Sequence, residues 1–529
     1  MEADAVLERP DGEMDVVTRW AWRLGCLLIG AALALVFPEA NLWWWAYVGL
    51  VPLLLLIAAA SDRREALWRT WSAGIGFFVV LHHWLAPSLG VFMVPVVIVV
   101  AAAWLPFGWA AWRMLRRAAG GGSAIACLVV LPSIWVVTEV VRSWHALGGT
   151  WGALGLSQWS ARPVLAIAAL GGVWLLSALL LVTNVAVALA LRTQVPVGVR
   201  LGAVGLAILA VGSSVAFGLA RGEPEVTDRV RLAGVQPGLI HGPGPRLDAN
   251  IELTLGLDPD EVGIVDLVVW GQSSVGFDPD VDQAVGELLE GVADEIGVDV
   301  LVNVDARAPG GRISKTSVLV RPGVGLDDRY VKQRLVPFGE YIPLRPLLGW
   351  LEHLTDAADE DRQPGTGMVL MRSGDLVFGP IISYESTFPD MRRTVSRMGA
   401  EMTIVQAAST TFQGSWIQPQ QARYEAVRAV ESGRPSVLVA VSGTSAGFDP
   451  RGRELVWWPS DTTGVFVVDV PLSQEDTVYV RFGDWVPLLA IIICAVSFAR
   501  FLARGWRSRS GHATAPEPGE LSAAVSSSS

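Results

Sequence analysis

Tyr330-Val331-Lys332-Gln333-Arg334-Leu335-Val336-Pro337-Phe338-Gly339-Glu340-Tyr341-Ile342-Pro343 is the stretch on which the reading of this chain turns. It carries one of only two lysines in 529 residues, the other being Lys315, although Lys and Arg together number 40. Lys332 and Glu340, set among apolar neighbours, are candidates for a buried salt link. On either side, short apolar, β-branched runs alternate with helical stretches, at 230–235, 265–270, 300–304, 316–320, 377–382, 402–405 and 436–441. Bounded by Gly, Pro or Asp, such runs read as buried strands of an α/β sandwich. Residues 417–434 place Tyr424, Val427 and Val430 at helical spacing and read as an amphipathic helix.

Farther out the texture changes. The chain is 52% hydrophobic, only 17% charged, and holds 23 tryptophans. Apolar runs of about 20 residues, enough to cross a bilayer core of roughly 30 Å, predict eight spanning helices. They fall at 20–37, 42–60, 71–87, 91–112, 124–142, 163–191, 199–219 and 485–503. Arginines cluster after every second span: Arg63, Arg64 and Arg69; Arg113, Arg116 and Arg117; Arg192 and Arg200; and Arg500, Arg504, Arg507 and Arg509. Basic residues favour the cytoplasmic side, so this alternation predicts a plasma-membrane protein with both termini in the cytoplasm. The expected organisation is a cytoplasmic segment 1–19, a seven-span region 20–219, an extracytoplasmic domain 220–480, a last span 485–503 and a disordered tail 510–529. The run after Arg19 lacks a basic leader and reads as a first span, not a cleaved signal peptide.

The modest net charge of −11 argues against nucleic acid as a partner. Cys26, Cys127 and Cys494 each lie inside an apolar run, which suits buried hydrophobes and builds neither a disulfide framework nor a metal site. His82 and His83 are adjacent, so they point in different directions, and no third ligand is evident. Asp278, Asp280 and Asp282 lack the glycine turn and distant glutamate of a calcium loop. No metal or cofactor is expected. Glu139 and Arg142, at i and i+3 beside Trp135 and Trp151, read either as a functional intramembrane pair or as a structural ion pair at the outer interface.

The stretch 330–343 closely resembles the lysine motif of the apolipoprotein N-acyltransferase family. Val235-Gln236-Pro237, Trp270-Gly271-Gln272-Ser273, Ser383-Tyr384-Glu385-Ser386-Thr387-Phe388-Pro389 and Arg428-Ala429-Val430-Glu431-Ser432-Gly433-Arg434 agree in order and spacing. Phe37-Pro38 and the Trp135/Glu139/Arg142 group also agree, so the resemblance covers about residues 20–500. It implies a helical polytopic membrane domain joined to an extracytoplasmic nitrilase-like αββα sandwich. It also implies transfer of an acyl chain from a phospholipid to an enzyme cysteine, and then to the N-terminal amine of a diacylated lipoprotein. Glutamate base, lysine and cysteine nucleophile form the family's trio.

Carried over by position, Lys332 is the lysine, Gln272 stands at the glutamate position and Ser383 at the cysteine position. Gly271 replaces the family's preceding proline, and Gln420-Gln421 its usual Gln-His pair. A thiol with a pKa near 8.5 is far more readily activated than a serine hydroxyl. A neutral amide accepts no proton, and loss of a general base typically costs about 10²–10⁴ in rate. The sequence therefore predicts that the family reaction is absent or strongly altered. An active variant would use Ser383 with Glu340 or Glu385 as base; otherwise those carboxylates, with Tyr384, support Lys332 and the surrounding loops. The remaining alternative is a non-catalytic scaffold, with a polyprenol-phosphate mannose synthase as conceivable partner. Gln and Ser are also common trapping substitutions, but the further drift at Gly271 and Gln421 points to natural divergence.

Overall fold

The computed structural model describes residues 16–118, 120–307, 311–350 and 360–510. The tail expected beyond 510 and most of the segment 1–19 lie outside them. Each of the eight apolar runs forms helix: Val16–Ala34, Trp43–Ala58, Arg63–Leu81, His83–Leu115, Gly121–Arg142, Ala168–Ala190, Val197–Ala220 and Trp485–Ser510. Six are long and apolar enough to cross a membrane; Trp43–Ala58 is too short and Arg63–Leu81 carries too many charges. The third helix begins eight residues before its expected start at 71, because Asp62 caps it by accepting from Glu65 N at 3.0 Å. Arg69 is therefore not a loop residue. It is 2% exposed on that helix and donates to Glu65 and to the Leu56 carbonyl.

Residues 229–471 form two six-stranded sheets. One contains β1 (Arg229–Gln236), β2 (Leu267–Trp270), β3 (Asp299–Arg307), β4 (Ile313–Arg321) and β5 (Gly325–Val331). The other contains β6 (Met371–Ser373), β7 (Leu376–Ile382), β8 (Met402–Ala407), β9 (Ser436–Ala440), β10 (Ser445–Phe448) and β11 (Glu454–Trp458). β12 (Gly464–Pro471) returns to the first sheet, giving orders β12-β1-β2-β3-β4-β5 and β11-β10-β9-β8-β7-β6. β1, β2 and β3 run parallel, as do β7, β8 and β9, and the flanking pairs are antiparallel.

Parallel strands are buried on both faces, which is why the sequence shows them as unbroken apolar runs. Leu232, Leu267, Val269 and Leu301 of the first sheet meet Phe378, Ile404, Val437 and Val439 of the second. Helices Pro243–Leu255 and Gln283–Ile296 cover the outer face of the first sheet. Pro389–Met398 and Ile417–Ser432 cover that of the second, completing an αββα sandwich.

The sandwich is joined to the helical region by buried polar contacts. Gln420 Nε2 donates to the Pro38 carbonyl at 2.6 Å, and Tyr384 OH to the His145 carbonyl at 2.7 Å. Helix Ala168–Ala190 is broken at Gly171 and Gly172, where φ reaches +68° at Gly172. The amide of Val173, where the helix resumes, donates to Glu431 Oε1 at 2.6 Å. A carboxylate from the sandwich thus caps a membrane helix.

Candidate functional site

The site lies along one edge of the sandwich, where strands of both sheets end. β2 closes at Trp270, and Gly271 lets the sheets approach: a Cβ there would stand 2.1 Å from Val441 N. Gln272 N then donates to the Ala407 carbonyl at the end of β8, at 3.0 Å. Ser273 follows with φ +58°. In the second sheet β7 ends at Ile382 and Ser383 turns the chain with φ +49°. Left-handed backbone on a non-glycine residue is strained, and such strain concentrates at functional sites. Both corners that bear the candidate reactive side chains have it.

Between them stands Lys332, fully buried just past β5, its backbone N donating to the Lys315 carbonyl at 2.9 Å. Its Nζ donates to both oxygens of Glu340 at 2.8 Å, so the expected salt link is present. Glu340 Oε2 also accepts from Val336 N at 2.9 Å. Burial pushes the Glu340 carboxyl up, but Lys332 and Lys315 outweigh it and hold it below the ordinary range.

Glu385 is a brace. Its Oε1 accepts from Tyr330 OH at 2.9 Å, Gln333 N at 2.6 Å and Arg334 N at 3.1 Å, and its Oε2 from Ile382 N at 2.9 Å. Burial raises its pKa against the pull of these donors and of Lys332. One carboxylate therefore ties the β7 corner to the lysine loop. Tyr384 faces away, toward the helical region through His145. Gln421 Nε2 donates to the Ser383 carbonyl at 3.1 Å and to Ser386 Oγ at 3.2 Å.

The two remaining positions are chemically open. Gln272 is 5% exposed, and its Oε1 has no hydrogen-bond partner among the described residues. Ser383 Oγ likewise has no partner among them, and no carboxylate reaches it.

Some site residues were not singled out by the sequence. Lys315 Nζ donates to Asp305 Oδ2 at 2.8 Å and Ser273 Oγ at 2.9 Å, and lies 3.9 Å from Glu340 Oε1. Arg362 closes the network on Asp305. Both lysines of the chain thus converge on Glu340. Gln406 bridges the sheets, donating to the Trp270 carbonyl at 2.8 Å and accepting from Ser317 Oγ at 2.5 Å.

Other sequence candidates are dispersed. Glu139 and Arg142 do not form the ion pair weighed above, because Trp135 of the same helix and the segment after Thr150 supply their partners. Glu139 Oε1 accepts from Trp135 Nε1 and Leu154 N, at 2.8 and 2.7 Å, while Arg142 donates to the Trp151 carbonyl. His82 stacks on Phe78 and His83 packs against Trp416.

An αββα sandwich on membrane helices, with a buried Lys–Glu pair between two strained strand ends, defines a membrane-embedded member of the carbon-nitrogen hydrolase class. Residues 29–186 match the model of the apolipoprotein N-acyltransferase N-terminal domain, and residues 267–478 that of carbon-nitrogen hydrolases. The chain is 26% identical to an apolipoprotein N-acyltransferase of Geobacter metallireducens, covering 93% of this chain and 98% of that one. It is 28% identical to that of Azotobacter vinelandii, with the same coverages, and 27% identical to that of Pseudomonas syringae pv. tomato, covering 92% and 97%. Among solved structures, an amidase from Nesterenkonia sp. aligns with 49% of this chain and 95% of its own, at 20% identity and a TM-score of 0.35. The chain belongs to the apolipoprotein N-acyltransferase family and is a membrane protein.

Proposed function

We propose that this protein binds acyl-lipid substrates in a preserved apolipoprotein N-acyltransferase pocket without carrying out thioester acyl transfer. One observation carries the reading: the residues at the glutamate and cysteine positions are Gln272 and Ser383, and neither nearby carboxylate is free to replace the missing base. Glu340 spends both oxygens on Lys332 and Val336 N, and Glu385 is saturated by four donors. Moving either carboxylate to Ser383 Oγ would break several buried hydrogen bonds at about 1–3 kcal/mol each. The depressed pKa of Glu340 makes it a weak base besides.

What the site retains is recognition chemistry. Lys332 would supply an ammonium for oxyanion charge, and the buried, unpartnered Gln272 Oε1 would accept from an amide or amine of a bound lipopeptide. The strained corners that would present a nucleophile and a base remain. We place the sandwich outside the cytoplasm, opposite the arginine-rich helix ends, as the positive-inside rule directs; a reporter on the C-terminal tail should be cytoplasmic.

The test is intact-mass analysis of the purified protein after incubation with phospholipid and a diacylated lipopeptide. We expect bound lipopeptide, no acyl adduct and no acylated product. The double reversion Gln272→Glu/Ser383→Cys should gain turnover by about 10² or more. An acyl adduct on the unaltered protein, lost in Ser383→Ala, would overturn the proposal and establish a serine ester mechanism.

A further inference from the structure

A second opening lies among the membrane helices. His83–Leu115, Gly121–Arg142 and Trp485–Ser510 border a groove of about 1440 Å³. Its walls are aliphatic and open to the surroundings: Ile125, Val129 and Val141 on one side, Ile492 and Val496 on the other. Four arginines, Arg113, Arg117, Arg500 and Arg504, line the same groove. Arg500 follows Trp485 by 15 residues, so the charged end lies about 22 Å along that helix from the end joined to the sandwich. None of the residues around Lys332 lines the groove.

Several other arginines of the helical region are already partnered. Arg116 donates to the Ala60 carbonyl at 3.0 Å, Arg200 to the Ala190 carbonyl at 2.6 Å, and Arg23 and Arg69 share Glu65. Among the described residues, Arg113, Arg117, Arg500 and Arg504 have neither a hydrogen bond nor an ion pair. Arg113 rests only on the Phe501 ring, 4.3 Å from its centroid. The topology rule asks for basic residues on one side of the membrane; it does not ask them to converge on one aliphatic groove. Guanidinium groups match phosphate in geometry and charge, and the walls below them match acyl chains.

We propose that this groove binds one anionic phospholipid, its phosphate on the four arginines and its acyl chains along the aliphatic walls. Each basic group near a membrane surface adds measurably to the affinity for anionic lipid. Removing two of the four should cost roughly tenfold or more in binding.

The test uses the full chain, delipidated in non-ionic detergent and titrated in native mass spectrometry with phosphatidylglycerol and, separately, phosphatidylcholine of the same chains. We expect phosphatidylglycerol to be retained about tenfold more strongly, and Arg500→Gln/Arg504→Gln to reduce it to the phosphatidylcholine level. Val129→Trp, which fills the groove without altering charge, should lower retention of both lipids. The unaltered protein gives an independent readout, because Cys494 lines the groove whereas Cys26 and Cys127 are buried. Phosphatidylglycerol should slow alkylation of Cys494, and glycerol 3-phosphate should not. Equal retention of the two lipids, a preference that survives the double substitution, or equal protection by glycerol 3-phosphate would each overturn the assignment.

Discussion

The groups that frame the sandwich edge and the groups that would react there are built differently. Around the edge, Lys332 Nζ is bonded to both oxygens of Glu340, and Glu340 and Glu385 accept three and four hydrogen bonds. At its centre, Gln272 Oε1 and Ser383 Oγ bond to nothing among the described residues. The supports are bonded and both corners are strained, while the two central side chains are a neutral amide and a hydroxyl. The difference is what a site kept for binding would retain.

The comparison breaks first, and most visibly, at Glu385. Glu385→Ala orphans three backbone amides, each costing about 1–3 kcal/mol, and leaves Tyr330 OH only Met368 Sδ and Gln333 Nε2. The sum rivals the total stability of a typical domain. We expect loss of the monodisperse peak in fluorescence-detected size-exclusion chromatography. Lys332→Met should cost up to about 3–5 kcal/mol, seen as a lower thermal unfolding midpoint, since it takes from Glu340 its hydrogen-bonded cation and leaves only Lys315, 3.9 Å away. The double change Lys332→Met/Glu340→Leu should recover most of that loss; failure to recover would mean that Lys332 does more than neutralise Glu340.

A smaller effect follows from pH. The Glu340 pKa is lower in the folded protein than in the unfolded chain, so its contribution is present above the ordinary carboxylate pKa of about 4.3. It is lost as pH falls through the folded value. The acid limb of a stability profile below about pH 4 should be shallower in Glu340→Gln. Smallest of all, Gln272→Ala and Ser383→Ala should each shift stability by less than about 1 kcal/mol. A loss of several kcal/mol at either position would erase the contrast and make that residue part of the frame.

How much of this was legible depends on where each residue's partners lie. The buried parallel strands β1 to β3 and β7 to β9 announce themselves as apolar runs. The edge strand β5 mixes Asp327, Asp328 and Arg329 among its apolar positions, and β10 is only four residues long, so neither carries a clear signal. Lys332, Glu340, Glu385, Gln272 and Ser383 were found through motif position, and the Lys332–Glu340 link through their setting. The Lys315–Asp305–Ser273 network was missed although Lys315 stood out as one of two lysines. Its partners follow only from register: Asp305 and Lys315 are opposite one another across the β3–β4 pair. Gln406 was invisible for the same reason, since it bonds across sheets that the sequence does not align.

The cap that Glu431 places on Val173 also sets an order of events during synthesis. The two residues are 258 positions apart. At 5–20 residues per second, a ribosome needs roughly 10 to 50 s to travel between them. For that interval the helix beyond Gly172 sits in the membrane with its first amide uncapped, and it gains its native end only when the sandwich docks. The late-made half of the chain thus completes the early-made half.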